Sequence, residues 1–203
     1  MTITTEESLR AVIGDVHPIT VDKEMPALDK HARHFISLSP FLCIGTTNGE
    51  GVADVSPRGD PPGFVKVLDD RTLIIPERPG NRRADTMLNL MKDPVVGLIF
   101  FVPGIEETLR VSGRAAVTDD AALLEGMAVQ GKPPKLGIQV RVERVFFHCA
   151  KALKRSKLWD ASAQVPRDAF PTPGQVIRDQ RRPDSSAEEL DALVIEDQKT
   201  NLY

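Results

Sequence analysis

The sequence predicts a mainly β protein of the α+β class: an antiparallel barrel of six or seven short strands with peripheral helices. Short apolar or alternating runs recur between residues 40 and 160, and turn signals such as NGEG separate them. Helical periodicity is confined to the ends of the chain and to two small interruptions. A parallel βαβ sheet would need a helical crossover between successive strands, and regular crossovers are missing. We expect a single domain over residues 1–203.

Two helices are expected before the barrel, within residues 1–39. Thr4 and Glu7 have capping-box spacing, which predicts that the first helix begins there. Apolar residues then repeat at helical spacing from about Pro26, and Pro40 should end this second helix.

Residues 40–160 are expected to form the barrel core. The strand-like runs are, in order, FLCIGTT, GVADVSPRG, FVKVL, TLIIP, VVGLIFFV, TLRVSGRAAV and IQVRVERVFF. One helix should interrupt them at residues 81–92 with Asn81 as its cap, and DDAALLEGMAV should form another.

Residues 161–203 differ in composition from the barrel. The stretch DASAQVPRDAFPTPG is rich in proline and is expected to wrap the surface without regular structure. Residues 184–197 read as an acidic helix with a narrow apolar stripe.

Composition and charge exclude several classes of protein. The 203 residues carry 26 basic and 29 acidic side chains, a formal net charge of −3, and 41% of the residues are hydrophobic. This near-neutral balance argues against a nucleic-acid binder. The longest apolar stretch, residues 94–104, is shorter than the roughly 20 residues of a membrane span, and the acidic start does not resemble a signal peptide. We expect a cytoplasmic protein with no nucleic-acid or membrane partner.

A metal site is not expected. His31 and His34 share a predicted helix but have no third ligand nearby in the sequence. Cys43 and Cys149 each lie in an apolar run, which predicts two buried reduced thiols rather than a disulfide framework or a zinc site.

The most informative candidate site is the stretch IPERPGNRRADTMLNLM. In this interpretation Asn81 caps a helix whose first turn carries Arg82 and Arg83. Free backbone N–H groups and the helix dipole favour an anion there, and two guanidiniums offer donors suited to phosphate oxygens. The alternative is two solvated arginines on a surface helix.

A second candidate lies at the end of the strand GVADVSPRG. Ser56 supplies a hydroxyl and Arg58 a positive charge, and two prolines stiffen the chain that follows. The alternative is that Arg58 simply pairs with Asp60 across a turn.

Two further stretches could contact a ligand. The strand TLRVSGRA places polar residues, Thr108 and Arg110 among them, on one face, which could be a ligand groove or only a solvated face. The stretch KALKRSKLWD carries Arg155 and ends near Trp159, the single tryptophan. A basic cluster beside an aromatic ring suits a planar phosphorylated ligand, and it equally suits a subunit interface.

Six motifs in order, SPRGD, PGFV, PERPGN, VPG, ETLRVSGRA and KRSKLW, resemble one family over residues 26–160. It is the FMN-binding family related to pyridoxamine 5'-phosphate oxidase, in a branch expected to depend on FMN. The resemblance implies an FMN-binding split β-barrel, a Greek-key barrel. It also implies a homodimer that binds FMN in grooves at the subunit interface.

The resemblance also implies which residues hold the cofactor. Pro76 and Glu77 fall where the family's backbone contacts the isoalloxazine edge, and Thr108 falls where the true oxidases carry a glutamine. Trp159 resembles a late aromatic residue that approaches the flavin from the partner subunit. The residues expected at the phosphate are Arg58, Asn81, Arg82 and Arg83, and the expected set is completed by Ser56, Arg110 and Arg155.

The expected function is that of an FMN-dependent oxidoreductase acting on an unidentified small molecule, with a nicotinamide as a possible electron donor. The arginine-rich substrate signature of the true oxidases is replaced by DAFPTPGQVIRDQRRPD and an acidic helix, so oxidation of vitamin B6 is not expected. FMN carries its own hydride and electron chemistry, and no catalytic residue is nominated. One alternative is a non-catalytic flavin-binding or flavin-buffering protein. Another is a related split barrel that handles haem or a deazaflavin.

Overall fold

The computed structural model describes residues 2–203, which form one seven-stranded sheet surrounded by helices. The strands are β1 (Phe41–Thr47), β2 (Ala53–Gly59), β3 (Lys66–Val67), β4 (Thr72–Glu77), β5 (Val95–Val102), β6 (Ile105–Thr118) and β7 (Leu136–His148). The α-helices are α1 (Glu6–Ile13), α2 (Lys30–Leu38), α3 (Asp85–Lys92), α4 (Ala121–Leu124), α5 (Lys151–Ser156), α6 (Pro173–Arg181) and α7 (Ala187–Thr200). Within residues 2–203, no helix is long and apolar enough to cross a membrane.

The strand order is β2-β1-β5-β6-β7-β4-β3, and every neighbouring pair is antiparallel. The longest pairing, between β6 and β7, contains a register shift between Ser112 and Gly113. A Cβ atom at Gly113 would collide with the carbonyl oxygen of Arg141 on β7, so this position requires glycine. The predicted mainly β, antiparallel α+β architecture is confirmed.

The sheet curls until its distant strands meet. Although β2 and β4 are separated by four strands in the sheet order, Arg58 at the end of β2 lies 3.3 Å from Glu77 at the end of β4. Just beyond these strand ends, Arg78 pairs with Asp60 at 2.6 Å. The two ion pairs therefore connect parts of the sheet that its hydrogen bonds leave apart.

The core lies inside this curl. Leu42 and Ile44 of β1, Leu73 and Ile75 of β4, and Phe100 of β5 are completely buried. Burying one such side chain contributes about 1.5–3 kcal/mol, so the inward face of the sheet supplies the main stabilisation. The alternating burial along β1 and β5 follows from the period-two geometry of strands.

The helix expected from Asn81 begins four residues later. Its cap position is Ala84, and Arg82 and Ala84 both have positive φ, at 59° and 58°. The side-chain oxygen of Asn81 accepts a hydrogen bond from the backbone N–H of Arg83, which makes a local turn instead of a helix cap. The prediction that Asn81 caps α3 with Arg82 and Arg83 in its first turn is therefore wrong.

The N-terminal helices were predicted with small errors. Thr5, not Thr4, caps α1 by accepting a hydrogen bond from the Ser8 backbone N–H. Asp29 caps α2 in the same way, and α2 ends before Pro40 as expected.

The proline-rich stretch contains more regular structure than expected. Two short 3-10 turns are followed by α6, where Thr172 and Gln175 form a capping box and Pro173 occupies the first turn. The acidic helix is confirmed as α7. The two helices contact closely at Gly174, whose N–H donates to Asp191 at 2.7 Å. The expectation of an irregular stretch is therefore wrong at its end, where α6 begins at Pro173.

Neither cysteine is fully buried as expected. Cys43 is half-buried on β1, but Cys149 is exposed just after β7 ends. The apolar run VFFHCA indicated burial, yet the strand's inward pattern stops before Cys149.

Candidate functional site

A cavity of about 350 Å³ lies where the ends of β2 and β4 approach each other. The turn before α3 and the first residues of that helix complete its wall, so three separate stretches of the chain converge here. We call it the smaller cavity. It is lined by residues 56–59, Phe64, residues 76–81 and residues 83–86.

Arg58 is a mostly buried cation of the smaller cavity. Its side chain is 18% exposed, and its guanidinium donates to the Thr86 hydroxyl at 3.2 Å and to the Pro57 carbonyl at 2.8 Å. Its Nε lies 3.3 Å from Glu77 Oε2, but neither buried atom makes a hydrogen bond within residues 2–203. The guanidinium is therefore fixed in place with donor capacity left over.

Two hydroxyls extend this arrangement into a chain of hydrogen bonds. Thr86 is 2% exposed, accepts from Arg58 and donates to the Ser56 hydroxyl at 3.2 Å. Ser56 in turn donates to Asp54 at 3.1 Å. Because the chain begins at a cation and ends at a carboxylate, the direction of each hydroxyl proton is set.

Arg83 lines the smaller cavity from its solvent side. Its Nε donates to Asp85 at 2.8 Å, and 71% of its side chain is exposed. The hydrogen bond from Arg83 to Asp85, with the charge of that carboxylate, raises the pKa of the guanidinium. Arg83 can therefore bind an anion only if it divides its N–H donors between the anion and Asp85, or if it breaks the hydrogen bond to Asp85.

A second cavity of about 860 Å³, the larger cavity, adjoins the first. Residues 77–81 and Ala84 line both, so the turn before α3 separates and connects them. Arg82 lines only the larger cavity. The other walls of the larger cavity are Met87, residues 132–136, Asp197, Asn201 and Tyr203.

The structure brings together six of the eleven residues expected at a cofactor. The smaller cavity is lined by Ser56, Arg58, Pro76, Glu77, Asn81 and Arg83, while Arg82 lines the larger one. Thr108, Arg110, Arg155 and Trp159 line neither cavity within this chain.

Three of the residues outside the cavities have other surroundings. Thr108 is 2% exposed within β6. The Arg110 guanidinium lies 4.9 Å from the centre of the Phe146 ring. The indole N–H of Trp159 donates to the Ile105 carbonyl at 2.8 Å and holds the turn between β5 and β6.

Three residues that build the site were not expected there from the sequence. Thr86 lies inside a helical run and carries no signal of its own. Asp60 was weighed as a partner of Arg58, but it pairs with Arg78, and Arg58 pairs with Glu77. Arg78 belongs to the motif PERPGN, so that motif could have indicated it.

The seven-stranded antiparallel sheet, closed at the ends of β2 and β4, is a split β-barrel with an arginine at its seam. Residues 28–149 match the family model described as pyridoxamine 5'-phosphate oxidase. Because this match spans more than half of the chain, the chain belongs to that family. The family assignment and the split-barrel fold expected from the motifs are confirmed. No curated protein sequence matches the chain.

Several solved structures are similar at low sequence identity. HupZ of Group A Streptococcus is 18% identical with a TM-score of 0.49, over 59% of this chain and 93% of that one. General stress protein 26 of Bacillus anthracis is 12% identical with a TM-score of 0.44, over 58% and 93%. An FMN-binding protein of Syntrophomonas wolfei is 15% identical with a TM-score of 0.44, over 58% and 84%.

Proposed function

We propose that the protein binds FMN with the cofactor phosphate in the smaller cavity, and that it is an FMN-dependent oxidoreductase acting on a small molecule. The observation that carries this proposal is Arg58. Its guanidinium is mostly buried at the seam of the barrel and lines the smaller cavity, and its two terminal nitrogens, which carry four N–H donors, make only two hydrogen bonds within residues 2–203. A phosphate oxygen is the acceptor that such a donor suits best.

The residues present fit the phosphate of FMN. Arg58 supplies a fixed guanidinium, and the hydroxyls of Ser56 and Thr86 lie next to it. Arg83 stands at the open side and can add a second charge by exchanging Asp85 for the phosphate. The cavity volume of about 350 Å³ lies at the lower end of the range for ligand sites, and the adjoining larger cavity offers further space.

Bound FMN would supply the hydride and electron chemistry of the reaction. The chain's own residues then have to bind, orient and shield the cofactor. Arg58 and Thr86 would position the phosphate, and the backbone of Pro76 and Glu77 would lie along the ring edge, as the family resemblance implies. Phe64, 7% exposed, forms an apolar part of the wall and limits water there.

A non-catalytic flavin-binding or flavin-buffering protein is the second candidate, and one observation favours it. The carboxylates nearest the smaller cavity are each engaged by an arginine: Glu77 by Arg58 and Asp85 by Arg83. A carboxylate that is held in a pair with an arginine is not free to contact a substrate.

Absorbance spectroscopy separates the two functions. We expect the purified protein, loaded with FMN, to show flavin bands that bleach under anaerobic addition of a reduced nicotinamide. Bands that no nicotinamide donor bleaches would favour the buffering protein. A protein that neither retains nor takes up FMN would contradict both candidate functions.

We also propose that the protein works as a homodimer whose partner subunit completes the site. Exposed apolar residues near the smaller cavity support this: Val55 on β2 is 68% exposed, and Leu88 and Met91 on α3 are 52% and 72% exposed. An exposed apolar patch of this kind is typical of a protein interface. Arg155 and Trp159 line neither the smaller nor the larger cavity of their own chain, so a partner subunit would have to bring them to the flavin.

Sedimentation and tryptophan fluorescence test the dimer. FMN that binds at a shared site should tighten the association of the subunits by mass action, and a nearby flavin should quench Trp159. A monomer that binds FMN stoichiometrically would contradict the shared site. Trp159 emission that FMN does not quench would show that this residue does not lie at the flavin site.

A further inference from the structure

The segment that follows α6, residues 187–203, is fastened to the barrel at its end. The Tyr203 hydroxyl donates to Asp60 Oδ1 at 2.9 Å, while the other oxygen of Asp60 accepts from Arg78 Nε at 2.6 Å. The Lys132 ammonium donates to the Tyr203 carbonyl at 3.1 Å. We call residues 187–203 the α7 segment. It lies outside the part of the chain that matches the family.

The anchor at Tyr203 is well supported by its surroundings. The Asp60 side chain is only 2% exposed, and the Arg78 guanidinium lies 5.9 Å from the centre of the Tyr203 ring, within the range of a cation–π contact. The hydrogen bond to Asp60, together with burial and the charge of that carboxylate, raises the pKa of Tyr203. The ring is thus held by both its hydroxyl and its face.

This anchor makes the α7 segment one wall of the larger cavity. Asp197, Asn201 and Tyr203 face residues 132–136 and the turn at residues 77–82 across a volume of about 860 Å³. That volume lies within the range of small-molecule sites, roughly 300–1,000 Å³. The cavity shares residues 77–81 with the smaller cavity, so a ligand in it would lie beside the proposed cofactor site.

The charges that line the larger cavity are unbalanced. Glu77 and Arg78 are engaged in ion pairs with Arg58 and Asp60. Three further cations have no ion-pair partner within residues 2–203, against one such carboxylate. The three cations are Arg82, Lys132 and Lys135, and the carboxylate is Asp197. An excess of unpaired positive charge in a concave site favours an anionic ligand.

We propose that the larger cavity binds a small organic anion, with Lys132 and Lys135 as its charge-recognising residues and Tyr203 as the anchor of its α7 wall. The identification of this anion as a substrate rests on the proposed function. The binding itself does not, because Lys132, Lys135 and Tyr203 line the larger cavity and not the smaller one.

Equilibrium dialysis with two matched probes tests the proposal. The anionic probe is 8-anilinonaphthalene-1-sulfonate, and its neutral counterpart is N-phenyl-1-naphthylamine, which has the same rings without the sulfonate. We expect the double variant Lys132→Gln/Lys135→Gln to bind the anionic probe about tenfold more weakly or worse, because each charge-assisted contact contributes that much. The double variant also loses the bond from Lys132 to the Tyr203 carbonyl, so its loss of affinity should be much larger for the anionic probe than for the neutral one. Lys135→Gln alone keeps that bond and should leave the affinity for the neutral probe unchanged.

Three further variants sharpen the result. Lys199→Gln removes a charge from α7 outside the cavity and should leave both affinities unchanged. Tyr203→Phe keeps the ring and loses the bond to Asp60, so the loosened wall should weaken both probes. Lys135→Gln alone, at an exposed position, keeps the test decisive if the double variant unfolds.

Three outcomes would overturn the proposal. The first is an equal loss of affinity for the anionic probe in Lys199→Gln and in the lysine double variant. The second is an unchanged affinity for the anionic probe in the double variant. The third is an unchanged affinity for both probes in Tyr203→Phe. FMN titration of the same proteins keeps the two ideas apart. Wild-type protein that fails to bind FMN would contradict the proposed function, while the comparison of the two probes would still decide the anion site.

Discussion

Replacing Arg58 by glutamine tests the phosphate site most sharply. The substitution removes the guanidinium that contacts Thr86 at 3.2 Å and approaches Glu77 at 3.3 Å. Two effects must then be separated: the loss of a ligand contact, and the loss of the ion pair that joins β2 to β4. The ion pair exists without any ligand, so its loss appears in the stability of the free protein.

Both effects have a magnitude. A charge-assisted contact to phosphate contributes about 1.5–3 kcal/mol, so FMN should bind roughly 10- to 150-fold more weakly. The Arg58 side chain is 18% exposed and that of Glu77 is 24% exposed, so their ion pair is neither fully exposed nor fully buried. Its energetic contribution should lie between those of surface and buried ion pairs. Leaving Glu77 without its partner should therefore lower the free energy of unfolding by about 1–3 kcal/mol.

A matched variant separates the two effects. Arg58→Gln/Glu77→Gln removes the stranded carboxylate, so its unfolding free energy, measured by urea denaturation, should recover part of the loss. Its FMN affinity, measured by flavin fluorescence, should stay low. Riboflavin, which lacks the phosphate, should bind wild type and both variants alike. FMN affinity that survives Arg58→Gln would refute the assignment, and so would an equal loss for riboflavin.

Three other changes have definite expected results. The pKa of Tyr203 is raised above 10.0 by the Asp60 hydrogen bond, so its contribution to stability should persist below pH 10 and disappear as the pH rises through the raised pKa. Tyrosinate absorbance of this single tyrosine measures the titration, and a midpoint at or below 10.0 would contradict it. Gly113→Ala should lower the unfolding free energy by about 1–3 kcal/mol or more, because its Cβ collides with β7, and thermal unfolding that does not change would contradict the bulge. Trp159→Phe should cost about 0.5–1.5 kcal/mol in urea denaturation, since it loses the bond to the Ile105 carbonyl; no loss would show that this bond is not formed.

The strands could be predicted because their burial follows simple periods. The continuous apolar run of β5 and the alternation in β6 correspond to strands in the structure. The start of α3 could not be predicted in the same way. Arg82 and Ala84 adopt positive φ, which residues other than glycine seldom do. No pattern in the amino-acid sequence indicates this backbone conformation. A signal for α6 is present in the capping-box spacing of Thr172 and Gln175, which lies at the end of a proline-rich stretch that favours irregular structure.

The sequence indicated several residues that line the smaller cavity but not the contacts between them. The motifs pointed to Arg58 and Glu77, whose pairing depends on how four intervening strands curl. Local sequence carries no information about that curvature, which arises from twist and core packing. Tyr203 was missed because its partner Asp60 lies 143 positions away.

A crystal structure of the protein with FMN would show where the cofactor phosphate binds. We expect electron density for the phosphate in the smaller cavity, with a phosphate oxygen at hydrogen-bond distance, about 3 Å, from the Arg58 guanidinium and near the Thr86 hydroxyl. FMN bound with its phosphate remote from Arg58, or held only by Arg82 and Lys132 in the larger cavity, would contradict it.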